Sequence, residues 1–158
     1  MLNRQKVLKT VVFFLLIFTL TACNSSTSGS LTALKKGETY YGKNATFEMI
    51  EVNSNDSWTI KSKDLDDSNY TVVSVEDTGE KVDKYPVIEL KATETKGDID
   101  SRFAKKEGRK FIIVKDENEV YFRSVSESNI SGIEEKLKKE SDKDELIKSI
   151  SNYIFARK

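Results

Sequence analysis

The residue with the clearest chemistry is Cys23, the only cysteine in 158 residues. A lone thiol forms no intramolecular disulfide and no multi-cysteine zinc site. Its setting is specific. Arg4, Lys6 and Lys9 precede an apolar-dominated run over residues 11–20, and the small residues Thr21 and Ala22 stand just before the thiol. Positive region, short apolar region and small residues make a secretory leader. Residues 11–22 would rise only about 18 Å as a helix, against a hydrocarbon core of about 30 Å. Polar Asn24-Ser25-Ser26 follows at once, so the run is too short to span a bilayer.

Leu20-Thr21-Ala22-Cys23 resembles the lipobox of bacterial lipoproteins: Leu, a small residue, Ala or Gly, then Cys. The resemblance covers the first 23 residues and has no departures there. It implies a diacylglyceryl group on the Cys23 sulfur and cleavage between Ala22 and Cys23, so that residues 1–22 are a signal peptide. Two acyl chains at about 0.8 kcal/mol per buried CH₂ anchor stably where one chain does not.

The rest of the chain lacks the usual catalytic vocabulary. There is no histidine, which removes the commonest general base, the commonest metal ligand and the usual partner of a nucleophilic serine. Phosphate-binding and dinucleotide-binding glycine patterns are absent, and no cofactor is indicated. Glu48 with Glu51, or Glu89 with Glu94, are carboxylate pairs of the kind that cleaves glycans. With 26 acidic residues in the chain, such pairings arise by chance. Residues 64–69 form a dense acidic loop, but the sixth and twelfth positions of a calcium loop hold Asn69 and Val75, not Gly and Glu. Aromatics interleaved with basic residues (Tyr40, Tyr41, Lys43, Phe47; Lys110, Phe111; Tyr121, Phe122, Arg123) suit either a stacking platform or half-buried strands. Removing the leader leaves 23 basic against 26 acidic residues, a balance that speaks against nucleic acid as a partner.

The elements that must carry these residues are mostly strands. After Cys23, residues 24–36 begin as a Ser/Gly stretch, read as a flexible linker of about 20 Å; residues 37–158 form one domain. Strands are expected over residues 39–41, 46–52 with a bulge at Met49-Ile50, 57–62, 70–76, 85–92, 110–115 and 119–125, with a turn at residues 77–80. Residues 110–115 carry a continuous apolar run and read as a strand buried on both faces; in residues 119–125, Val120, Phe122 and Val125 are expected inward. Ser131-x-x-Glu134 and Ser141-x-x-Asp144 read as helix starts. The second helix is expected to carry Leu146, Ile147, Ile150, Tyr153 and Ile154 on one stripe. The fold class is α+β: a mostly antiparallel small sheet or barrel of about six to eight strands, followed by one or two C-terminal amphipathic helices. The order of elements resembles that of pleckstrin-homology-like domains, with the last helix closing one end; the resemblance carries no motif and transfers no ligand.

The functional expectation is a lipid-anchored, extracytoplasmic, non-catalytic interaction module of the bacterial cell envelope. It would be held at the cell membrane through the lipid on Cys23 and would meet an envelope protein, peptide or glycan. The alternatives are a carboxylate-based hydrolase of cell-wall glycan or peptide, and a small solute-binding lipoprotein. The Lys-, Asn- and Ser-rich composition resembles that of low-GC Gram-positive bacteria.

Overall fold

The computed structural model describes residues 32, 34–43, 48–62, 68–97, 101 and 103–158. The leader, Ala22 and Cys23, Phe47, Ile99 and the acidic residues Asp64, Asp66 and Asp67 lie outside the described residues. Eight strands run β1 (Thr39–Gly42), β2 (Glu48–Ser54), β3 (Ser57–Ser62), β4 (Tyr70–Val82), β5 (Tyr85–Lys96), β6 (Arg109–Asp116), β7 (Glu119–Val125) and β8 (Tyr153–Arg157). Two short helices, α1 (Ile130–Lys139) and α2 (Lys143–Ser149), stand between β7 and β8. Each strand is antiparallel to its neighbours in sequence, and β8 pairs with both β7 and β1, closing a barrel.

Alternation decides which side chains turn inward. Tyr40, Ile50, Trp58, Ile60, Val73, Leu90, Phe111, Val120, Phe122 and Phe155 belong to the interior cluster. An eight-stranded barrel has an interior just wide enough to be filled by side chains or to hold one small ligand. Here large rings occupy it. Phe103, from the connection between β5 and β6, lies 4.7 Å from Phe122, 5.2 Å from Phe111 and 5.3 Å from Phe155 between ring centroids. Ser101 Oγ accepts from the amides of Phe103 and Ala104 and sets the bend that aims this ring inward. Among the described residues the Trp58 indole N–H has no hydrogen-bond partner, and its ring meets Phe122 edge-on at 81°.

A second apolar cluster lies on the outside of the barrel. Val87, Ile112, Val114 and Val125 point outward and are covered by Ile133 and Leu137 of α1 and Ile147 of α2. This explains the continuous apolar run of β6: Phe111 faces the interior while Ile112 and Val114 lie under the helices. Val125, expected inward, belongs to this outer cluster, because it has opposite parity to Val120 and Phe122 within β7. Among the described residues no helix covers the remaining wall. Its cross-strand register sets Ala156, Tyr41, Met49, Lys61, Tyr70 and Lys96 in one row across β8, β1, β2, β3, β4 and β5.

The structure corrects five further expectations. The chain does not end in a helix: α2 stops at Ser149, and Tyr153–Arg157 is β8. Ser149 and Ser151 turn their hydroxyls onto the carbonyls of Leu146 and Ile147, a local competition that ends helices. The amide of Asn152 then donates to the Phe122 carbonyl, and the ladder begins. The helices therefore cover a wall and do not close an end, and β8 completes the ladder around the barrel. Residues 77–80 do not turn the chain; β4 continues through a bulge in which Asp77 Oδ1 and Thr78 Oγ1 accept from the amides of Gly79 and Glu80. The hairpin turns at Asp83-Lys84 instead, with Asp83 at φ 56°. The irregularity in β2 falls between Val52 and Ser54 and not at Met49-Ile50. The helix starts shift to Asn129 and Asp142; only Asp142 caps with its side chain, accepting from the Glu145 amide. Finally, Thr32 and Leu34, read as linker, are buried, and Leu34 belongs to the interior cluster.

Candidate functional site

The barrel has two different ends. One gathers the N-terminal segment, the turns β2–β3, β4–β5 and β6–β7, and the C-terminus. The other gathers the connections β1–β2, β3–β4 and β5–β6 and the entry to α1. At the first end a carboxylate organises the closure. Glu38 Oε2 accepts from the Tyr40 hydroxyl at 2.7 Å and the Lys35 amide at 2.8 Å, with Lys115 at 3.4 Å. Its Oε1 accepts from Arg157 at 2.7 Å. Burial alone would raise the Glu38 pKa; the Tyr40 hydroxyl, the Lys35 amide and the Lys115 charge outweigh it and hold the carboxyl at about 2. The same burial and the same carboxylate push the Tyr40 phenol upward. Every oxygen here is engaged, so this cluster is a clasp that ties β1, β6 and β8 to the N-terminal segment.

The other end carries an open groove of about 610 Å³ on the outer wall where β5, β6 and β7 meet the start of α1. Val125 and Ile130 form its apolar floor, and Glu80, Glu89, Glu127 and Lys110 stand around it. Lys110 Nζ reaches across β5 to both Glu80 oxygens, at 2.8 and 3.0 Å. That hydrogen bond raises the Lys110 pKa against a smaller lowering from desolvation, with the charges of Glu80, Glu89 and Glu127 adding to the rise. Arg109 also lines the groove. Its guanidinium turns to the interior side, where Nη1 donates to the Tyr153 hydroxyl at 2.8 Å and the group lies 5.5 Å from the Phe111 ring centroid. Gly108, at φ +80°, belongs to the same floor: a Cβ there would fall 2.5 Å from Glu89 Oε1.

The carboxylate pairs singled out by sequence do not assemble. Glu48 and Glu51 are three residues apart in one strand and project to opposite faces; Glu51 faces out and pairs with Lys61 at 2.9 Å. Glu89 and Glu94 are five residues apart in β5, about 16 Å at about 3.3 Å per residue, and Glu94 accepts from the Tyr70 hydroxyl. Glycan-cleaving carboxylates stand within roughly 5–10 Å. The aromatic–basic platform also divides. Tyr40, Phe111 and Phe122 are fully buried. Tyr41 and Tyr121 lie outside under Lys158 and Lys148, at 4.6 and 5.9 Å from their ring centroids. Of the residues named from sequence, Glu89 and Lys110 reach the groove. Glu80 and Glu127 were not foreseen, because each is separated from Lys110 by a strand or a turn, and only register brings them together.

Among the described residues no helix is long and apolar enough to cross a membrane. No family model matches the chain, and no curated protein or solved structure is detectably similar to it.

Proposed function

We propose that this chain is a lipid-anchored, non-catalytic binding module of the bacterial cell envelope, held on the outer face of the cytoplasmic membrane by a diacylglyceryl group on Cys23. The observation that carries the proposal is the leader ending in Leu20-Thr21-Ala22-Cys23. The domain's geometry is compatible with it. Thr32 is buried, nine residues beyond Cys23. At no more than about 3.6 Å per residue, such a tether spans at most about 32 Å. The end of the barrel bearing the Glu38 clasp would then face the bilayer, and the groove would open on the far half. A head so arranged offers its binding surface to envelope components and keeps its closure toward the lipid. The ring-filled interior supports binding at the surface over binding of a solute inside the barrel.

The test is Cys23→Ala in the producing cell. The expected result is an uncut precursor or a domain released from the membrane fraction, with no lipid label incorporated. Normal processing and membrane retention of the variant would overturn the anchoring. Release of sugar or peptide from purified cell wall by the native protein would overturn the non-catalytic part.

A further inference from the structure

We propose that the groove at the β5–β6–β7 wall binds a basic segment of a partner polypeptide, resting on the chain being a binding module but not on its lipid. Charge decides the class of ligand. Three carboxylates, Glu80, Glu89 and Glu127, and one ammonium, Lys110, present their heads there. Lys110 is spent on Glu80, and the Arg109 guanidinium points away toward Tyr153. No hydrogen bond or ion pair to a described residue engages Glu89 or Glu127. The first turn of α1 begins beside the groove and holds no acidic residue. Its N-terminus contributes roughly half a positive charge, too little to offset a net −2.

Shape agrees with charge. The volume of about 610 Å³ falls within the range of roughly 300–1,000 Å³ usual for ligand sites. Carboxylates standing beside the floor of Val125 and Ile130 suit a lysine or arginine side chain, whose apolar stem lies on apolar surface while its head reaches an acid. Gly108 keeps the floor low enough for the Glu89 carboxylate to lie across it, so the acid stays within reach of the bound head.

The test uses the full protein as the producing cell makes it, in detergent micelles, and fluorescence anisotropy of labelled probes. The probes are acetyl-Val-Lys-Val-Lys-amide, its Glu-for-Lys counterpart and a chitin tetrasaccharide. The lysine peptide is expected to bind and to weaken several-fold between 50 and 300 mM salt, roughly as exposed charge pairs are screened. Glu89→Gln with Glu127→Gln should weaken it about tenfold, and Glu135→Gln, on the exposed side of α1, should leave it unchanged. Lys110→Gln should tighten it several-fold, a gain that misfolding does not produce. Equal binding of the acidic peptide or the sugar, unchanged binding by the double variant, or no binding of the lysine peptide at 10 mM would each overturn the inference. A partner crosslinked to the wall away from the helices in intact cells would overturn the groove and keep the binding module.

Discussion

The molecule holds two apolar regions built on the same strands, and they are built differently. The barrel interior is made of large rings: Tyr40, Trp58, Phe103, Phe111, Phe122 and Phe155 are all fully buried there. The outer region, between β5–β7 and the helices, is mostly aliphatic, with Val87, Ile112, Val114, Val125, Ile133, Leu137 and Ile147. Geometry accounts for the contrast. Closing eight strands leaves a cylinder whose axis is far from every backbone, so long, rigid side chains are needed to meet in the middle. A helix lying on a sheet leaves a thin layer that Val, Ile and Leu fill. Rings meeting edge-to-face add about 0.5–1.5 kcal/mol per pair beyond area burial. The interior is therefore the more cooperative of the two: Phe103 alone touches four other rings.

The contrast can be broken at four points. Phe103→Ala should cost most, about 3–5 kcal/mol, because no neighbouring ring can cross the axis to refill the space; urea denaturation reads it. Leu137→Ala, in the outer layer, should cost about 2–4 kcal/mol, and less than Phe103→Ala, since a short helix can settle onto the sheet. An equal or larger loss for Leu137→Ala would reverse the ranking of the two regions.

Third comes acidification. The folded pKa of Glu38 is about 2, below its ordinary value of 4.5. The unfolded chain therefore binds the extra proton first, and the stability contributed by Glu38 is present above about pH 4.5 and is lost as pH falls toward 2. Glu38→Gln should remove that acid-side slope and cost roughly 1–3 kcal/mol at pH 7. Thermal melts of both proteins from pH 7 to pH 2.5 measure it, and parallel curves would show that the clasp contributes nothing. Smallest is the wall away from the helices, where Lys61→Ala removes an ion pair to Glu51 at 2.9 Å and should change stability by no more than about 1 kcal/mol.

Legibility followed the wetting of the faces. β3 and β7 occupy residues 57–62 and 119–125, the bounds expected from sequence. In β3, Trp58 and Ile60 alternate with residues that face water, so the pattern speaks for itself. β6 was legible as doubly buried, although nothing local distinguishes Phe111, which meets rings, from Ile112, which meets helices. The 77–80 segment has turn residues and forms a bulge, because pairing on the β5 side is kept while the side chains of Asp77 and Thr78 take up the loosened amides. Leu34 sits in a linker-like stretch and packs into the core, a contact that no spacing announces. The groove was not legible: Glu89 was named with Glu94 and Lys110 with Phe111, for other chemistry, and only register sets Glu89 beside Lys110 across β5 and β6, while Glu80 and Glu127 arrive from a bulge and a turn.

The sequence by itself determined the period-two strands, because each depends on residues within a few positions of one another. Tertiary structure alone decided that Tyr153–Arg157 is a strand. Seven strands would leave β1 and β7 with unpaired amides and carbonyls, and the last five residues before Lys158 satisfy both edges at once. That demand comes from the closed ladder, outweighs the helical spacing of Leu146, Ile150 and Ile154, and has no local signature in the chain.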